Sequence, residues 1–149
     1  MLYAKCIRSS QVAENALDFS LRENESHSVY CVGQTTYSKN GYDSLDCVPI
    51  NLIYDCLRYG DKIAIIFLEN DDSQYREGTP NGSKISMSAQ LVLNIMDADS
   101  KEAIDFVFNE VNNPELVHGG CVTWLSTENQ AYFDSKKQRR DINDKRSNS

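Results

Sequence analysis

Apolar side chains occupy every second position from 85 to 95, and this pattern limits the possible folds more than any other feature. The apolar members are Ile85, Met87, Ala89, Leu91, Leu93 and Ile95. A period of two places them on one face of a β-strand. The run 62–68, KIAIIFL, is almost wholly apolar, which is typical of a strand buried on both faces. We therefore predict an antiparallel pair, 62–69 against 84–96, joined by an exposed, mobile connection over 69–82.

Apolar spacing elsewhere predicts further strands and helices. Strands are expected over 2–7, 29–32 and 121–125, with a tight turn at Asn40-Gly41. Helices are expected from a Ser9-Ser10 cap to Leu21, from Pro49 to a left-handed cap at Gly60, from Asp99 to Asn112, and briefly after Thr127. The order of these elements predicts an α+β fold: a single compact domain with a mixed or mainly antiparallel sheet and about three helices.

Charge divides the chain into two parts. The last 15 residues, 135–149, hold six basic residues and two aspartates, so the net charge of −7 divides into +4 there and −11 over 1–134. We predict a folded domain over 1–134 and a basic, disordered tail over 135–149. An acidic body repels phosphates, so we expect it to bind a protein and not a nucleic acid. No membrane association is expected because no apolar run reaches the roughly 20 residues of a spanning helix.

Five cysteines occur: Cys6, Cys31, Cys47, Cys56 and Cys121. Their number is odd, their spacing is wide, and the first residues lack the layout of a secretory signal. We predict reduced, mostly buried thiols in a cytoplasmic protein. We predict no metal site, because close pairs of metal-binding cysteines are absent and the chain has two histidines.

Motifs for phosphate loops, dinucleotide binding, metalloproteases and serine hydrolases are absent from the sequence. We therefore expect no cofactor and favour a protein that is not an enzyme. The alternative is a small enzyme or nucleotide-binding domain with an unrecognised site near His118. The weak catalytic candidates are His118 and Cys121, because a thiol nucleophile needs a nearby base.

Exposed tyrosines and charged loops supply the candidate binding residues. These are Tyr37, Tyr42, Arg58, Tyr59, Asp71 and Asp72. Tyrosine and arginine are enriched at the centres of protein interfaces because they bring large contact areas. The alternative interpretation is that the tyrosines pack locally and that the acidic residues belong to a solvated loop.

The chain also resembles a family of small early accessory proteins of T-even bacteriophages. The resemblance covers most of the chain, including YGDKIAIIFLEND and the 121–125 segment CVTWL. It implies a bacteriophage early protein in the cytoplasm of the host bacterium. The implied function is to bind and modulate a host protein, in host takeover or counter-defence, and the resemblance assigns no site residue.

Overall fold

The computed structural model describes residues 2–39, 45–50, 60–68, 75–76, 85–110 and 125–147. The strands are β1 (Leu2–Ile7), β2 (Thr35–Tyr37), β3 (Leu45–Pro49), β4 (Lys62–Phe67), β5 (Tyr75–Arg76), β6 (Ile85–Met87) and β7 (Ala89–Asp97). The helices are α1 (Ala16–Leu21), α2 (Lys101–Glu110) and α3 (Thr127–Ser147), with a 3-10 turn over Ser9–Gln11. The α+β prediction is confirmed.

The strands form one sheet in the order β2-β7-β4-β1-β3-β6-β5. Every pair of neighbouring strands is antiparallel. The predicted partnership of the 62–69 and 84–96 runs is confirmed, since Lys62 lies opposite Asp97 and Phe67 opposite Leu91. β1 lies between β4 and β3, and its side chains belong to two buried clusters, with Ala4 in one and Tyr3 and Ile7 in the other.

The long alternating run is divided at Ser88 into two strands that have different neighbours. β6 pairs with β3, whereas β7 pairs with β4, and β1 connects β3 to β4. In the strand order, β4, β1 and β3 lie between β7 and β6, yet Ser88 alone joins β6 to β7 in the chain. The sheet must therefore curl so that β6 and β7 come close together. The side chain of Gln90 on β7 reaches β3, where its Nε2 donates to the backbone oxygen of Asp46 at 3.0 Å. Periodicity predicted the strand but not its division.

Helices α2 and α3 cover one face of the sheet. α2 buries Ala103, Ile104, Val107 and Phe108, as its spacing predicted. The ring of Phe108 meets the ring of Phe133 edge to face, with 5.1 Å between their centroids. Ile63 and Ile65 of β4 belong to the same buried cluster. This side of the molecule therefore has the interlocked packing of a protein core.

The beginnings of the helices differ from the predictions. Ser100, not Asp99, caps α2, because its Oγ accepts the N–H of Ala103 at 3.1 Å. The carboxylate of Asp99 instead accepts the N–H of Ser126 at 3.0 Å and so binds the start of α3. Residues 9–11 form only a 3-10 turn, and α1 begins later, capped by Asn15. The Asn15 side chain accepts the N–H of Asp18, which gives a free donor of the first turn its partner.

Three other expectations need correction. Pro49 ends β3 instead of beginning a helix; most of that predicted helix, 51–59, lies outside the described residues. Gly60 has no left-handed backbone conformation, and its need for glycine comes from close packing. A Cβ there would lie 2.1 Å from the carbonyl oxygen of Ile7. Within the predicted 29–32 strand, Tyr30 forms an isolated parallel bridge with Val12.

Residues 135–147, for which the sequence predicted a disordered tail, continue α3 as a helix. Lys136 explains part of the difference, because its ammonium lies 2.6 Å from the Asp105 carboxylate on α2. The same carboxylate accepts a hydrogen bond from Tyr132 at 2.6 Å. Of the 69–82 connection, residues 75–76 form β5, and the remainder lies outside the described part of the chain. In the parts of the chain that the structure describes, no helix is both long and apolar enough to cross a membrane.

Candidate functional site

A cleft of about 540 Å³ lies between α1 and the segment that contains β2, and we call it the β2 cleft. Phe19, Arg22 and Glu23 line it from α1 and the residues just after it. Residues 33–39 form the opposite wall, and Val29 also contributes. The volume falls in the range of sites that hold small ligands or a few side chains of a bound peptide.

β2 is the last described strand of the sheet on this side, so one of its edges has no neighbouring strand among the described residues. The carbonyl oxygen of Gln34 accepts the N–H of Val92 at 3.1 Å, and Ser38 N–H donates to the Ser88 oxygen at 2.8 Å. Because backbone groups alternate along an antiparallel strand, Thr36 also faces β7, whereas Thr35 and Tyr37 face outward. No described residue hydrogen-bonds to the outward backbone groups of Thr35 and Tyr37. Within the described part of the chain, β2 therefore presents unpaired donors and acceptors at the cleft.

The chain before β2 is fixed in place by hydrogen bonds and a turn. The Thr36 hydroxyl donates to the Val29 oxygen at 2.7 Å and is itself buried. Gln34 N–H donates to the Cys31 oxygen at 3.0 Å and closes a turn through Gly33. Gly33 has φ of +84°, a conformation that side chains disfavour. The wall formed by β2 is thus positioned before any partner arrives.

Arg22 holds the α1 side of the cleft in place. Its guanidinium donates to the Val12 oxygen at 2.9 Å and also to the Ser10 oxygen. Its Nε lies 2.8 Å from the carboxylate of Glu25. A guanidinium with several fixed acceptors acts as a cross-brace, so we assign Arg22 a positioning role.

Lys39 carries positive charge at the other side of the cleft. Its ammonium donates to the backbone oxygens of His27, at 2.9 Å, and of Glu25. No carboxylate of the described residues forms an ion pair with it. The lining holds two cations, Arg22 and Lys39, and one carboxylate, Glu23. Because Arg22 is paired with Glu25 and Asp18, Lys39 is the cation of the lining that no described carboxylate pairs with.

Tyr37 is the one predicted binding residue that the structure describes, and it lines the cleft with 68% of its surface exposed. Tyr42, Arg58, Tyr59, Asp71 and Asp72 lie outside the described residues, as does the turn at 40–41. The structure thus gives one of these residues a position and tests none of the binding assignments.

The weak catalytic candidates, His118 and Cys121, lie outside the described residues as well. The thiols of Cys6, Cys31 and Cys47 are not in disulfides. Desolvation raises the pKa of Cys47 to about 12, and burial also raises the pKa of Cys31. Both side chains therefore stay protonated near neutral pH and are poor nucleophiles. Among the described residues no cluster of three histidine, cysteine, aspartate or glutamate side chains could hold a metal ion.

Three residues that line the β2 cleft were not predicted from the sequence as site residues: Phe19, Arg22 and Lys39. The helical spacing that includes Leu17 predicted a helix that ends near Leu21. In the structure those leucines are 70% and 75% exposed, whereas Phe19 packs on the small cluster around Val29. The Asn15 cap, three residues before Asp18, is the signal that could have shifted the start of this helix.

Comparisons of this chain with family models, with curated proteins and with solved structures found no match.

Proposed function

We propose that this chain is a non-catalytic accessory protein that binds and modulates another protein through the β2 cleft. The observation that carries the proposal is the exposed ring of Tyr37 on a strand edge that no described strand covers, beside a cleft. A tyrosine ring offers a large contact area and loses little conformational freedom on binding, so it suits an interface centre.

The groups at the cleft favour recognition over catalysis. The Arg22 guanidinium and the Lys39 ammonium are bonded to the backbone of the protein itself. Both charged groups are therefore held in fixed positions at the cleft. Charges fixed in this way can select a partner by electrostatic complementarity.

The resemblance to T-even phage accessory proteins supports a bacterial host protein as the partner and the bacterial cytoplasm as the place of action. The net charge of −11 over residues 1–134 would steer a basic protein toward this one at long range. Such a function needs complementary shape and charge, which agrees with a sequence that has no catalytic motif.

The test is affinity capture from bacterial lysate with three forms of the full chain: wild type, Tyr37→Ser and Leu93→Ser. Leu93 is the matched control because it is also an exposed apolar residue, on β7. We expect one stoichiometric partner, retained by Leu93→Ser and reduced at least about tenfold by Tyr37→Ser, the loss typical of a hot-spot residue. Equal capture by all three forms, or no specific partner, would refute the proposal.

A truncation that removes residues 140–149 tests the basic end of α3 separately. This truncation keeps Lys136 and its ion pair with Asp105, whereas a cut at 134 would remove both that pair and most of the helix. If the partner is lost with 140–149 and kept by Tyr37→Ser, the interface belongs to the helix end and not to the β2 cleft.

A further inference from the structure

We infer that the β2 cleft recognises an extended segment of its partner, which adds to the sheet as a new strand along β2 and carries an acidic side chain toward Lys39. This inference rests on the proposed function and specifies how that same site binds.

The first support is the direction of the backbone groups. Thr35 and Tyr37 turn both their N–H and C=O groups away from β7, and no described residue occupies them. An extended segment laid along this edge would exchange hydrogen bonds with both residues, as strand-adding peptides do.

The second support is the cleft beside that edge. An open edge on a flat surface would bind any strand weakly, but here Phe19 on the α1 side lies across from the β2 wall. Side chains on one face of an added strand would enter the cleft, and those on the other face would remain in solvent. An apolar side chain can contact Phe19 and the exposed ring of Tyr37.

The third support is charge. Lys39 lines the cleft, and its hydrogen bonds go to neutral carbonyl oxygens, so its charge is not cancelled by a described carboxylate. A carboxylate on the partner segment would supply that counter-charge. The acidic body makes this local preference distinctive, because most of the surface would repel the same residue.

The occupant could in principle be a second copy of this chain, paired edge to edge through β2. Charge disfavours that arrangement, since two strongly acidic bodies would be brought together. We therefore assign the edge to a segment of a different protein.

The experiment selects binders from a library of short random peptides against the wild-type chain, and then measures their affinity for variants. Thr35→Pro is the decisive variant, because its N–H points outward and proline is tolerated on a strand edge that faces solvent. Thr35→Val is the matched control, since it keeps the N–H and a β-branched side chain. We expect the selected peptides to bind Thr35→Pro at least about tenfold more weakly and Thr35→Val nearly as well as wild type.

Lys39→Gln tests the charge. We expect enrichment of aspartate or glutamate at one peptide position, and a loss of about fivefold or more in Lys39→Gln that disappears when that acidic residue is replaced by its amide. Selected peptides without an acidic position would overturn this part of the inference.

Amide hydrogen exchange on the wild-type complex keeps the test valid if Thr35→Pro fails to fold. Strand addition predicts new protection of the Thr35 and Tyr37 N–H groups, which bond to the added strand. If a Tyr37-dependent partner binds but these amides remain unprotected, strand addition is refuted while the proposed function stands. If the chain forms a dimer that Thr35→Pro disrupts, the second copy is the occupant and the inference is wrong.

Discussion

The two sides of the molecule use short helices in opposite ways. α2 buries four apolar side chains against the sheet and against Phe133 of α3. α1 has no buried residue, and its leucines at positions 17 and 21 face solvent. It is held instead by the Asn15 cap and the Arg22 brace. The α2–α3 side therefore buries the apolar side chains that stabilise the fold. The α1 side buries few side chains and borders the β2 cleft.

Truncating matched side chains on the two helices gives the largest expected contrast. Ile104→Ala creates a cavity under α2, where the side chain is fully buried, and should lower the free energy of unfolding by about 2–5 kcal/mol. Leu21→Ala on α1 should change it by no more than about 0.5 kcal/mol. Urea denaturation of both variants measures this directly. Comparable losses would mean that α1 is packed as firmly as α2.

Removing the brace tests what holds the α1 side. Arg22→Met keeps the length of the side chain but removes its hydrogen bonds to the Val12 and Ser10 oxygens and its pair with Glu25. We expect a loss of about 1–3 kcal/mol and faster amide exchange over residues 10–28. Exchange over 101–110 should change little. Arg139→Met is the control, because Arg139 is exposed and its hydrogen bond among the described residues is to Ser135 in its own helix.

Gly33 tests how firmly the β2 wall of the cleft is fixed, because its backbone conformation sets the direction of β2. Gly33→Ala introduces a Cβ that meets no atom within 4 Å, so its cost comes from φ of +84° alone. We expect about 1–2 kcal/mol of destabilisation, measured by thermal unfolding, together with weaker partner binding. An unchanged stability would show that this turn tolerates an ordinary residue and that the β2 wall is less constrained than described.

A small pH effect should report the contact between α2 and α3. Hydrogen bonds from Lys136 and Tyr132 lower the pKa of Asp105. A carboxyl whose pKa is lowered by folding stabilises the protein above its unfolded value, near 3.9, and loses that effect as pH falls further. Asp105→Asn should cost roughly 0.5–1 kcal/mol near neutral pH, because the pair is partly exposed.

The difference between Asp105→Asn and wild type should shrink as pH falls below about 4. Unfolding curves for the two proteins at several pH values measure it. A difference that stays constant with pH would show that the Asp105 carboxylate does not stabilise the α2–α3 contact.

The sequence predicted the elements whose side chains repeat regularly. β1, β4 and α2 follow their apolar patterns, and the antiparallel pairing of β4 with β7 was expected from the adjacent runs. Secondary structure that depends on distant contacts was not predictable in this way. β2 has three residues and exists because β7 pairs with it, and the division at Ser88 depends on where β3 and β4 lie.

The candidate site was predictable only at Tyr37. Phe19, Arg22 and Lys39 reach the cleft because a bridge between Val12 and Tyr30 and the turn at Gly33 bring α1 beside β2. The bridge joins two segments far apart in sequence through two backbone hydrogen bonds, and the turn depends on one glycine, so neither leaves a periodic pattern. The continuation of α3 beyond residue 134 was missed for a related reason: the Lys136–Asp105 pair is invisible in composition.

Hydrogen exchange of the chain with and without its captured partner, read by mass spectrometry of peptides, tests the central claim most directly. The two regions to compare are residues 16–39, which contain α1 and β2, and residues 101–110, which form α2. We expect the bound partner to slow amide exchange over residues 16–39 and to leave exchange over residues 101–110 unchanged. Protection of α2 with no change along β2 would contradict it, and would place the binding surface on the side that we assign to stability.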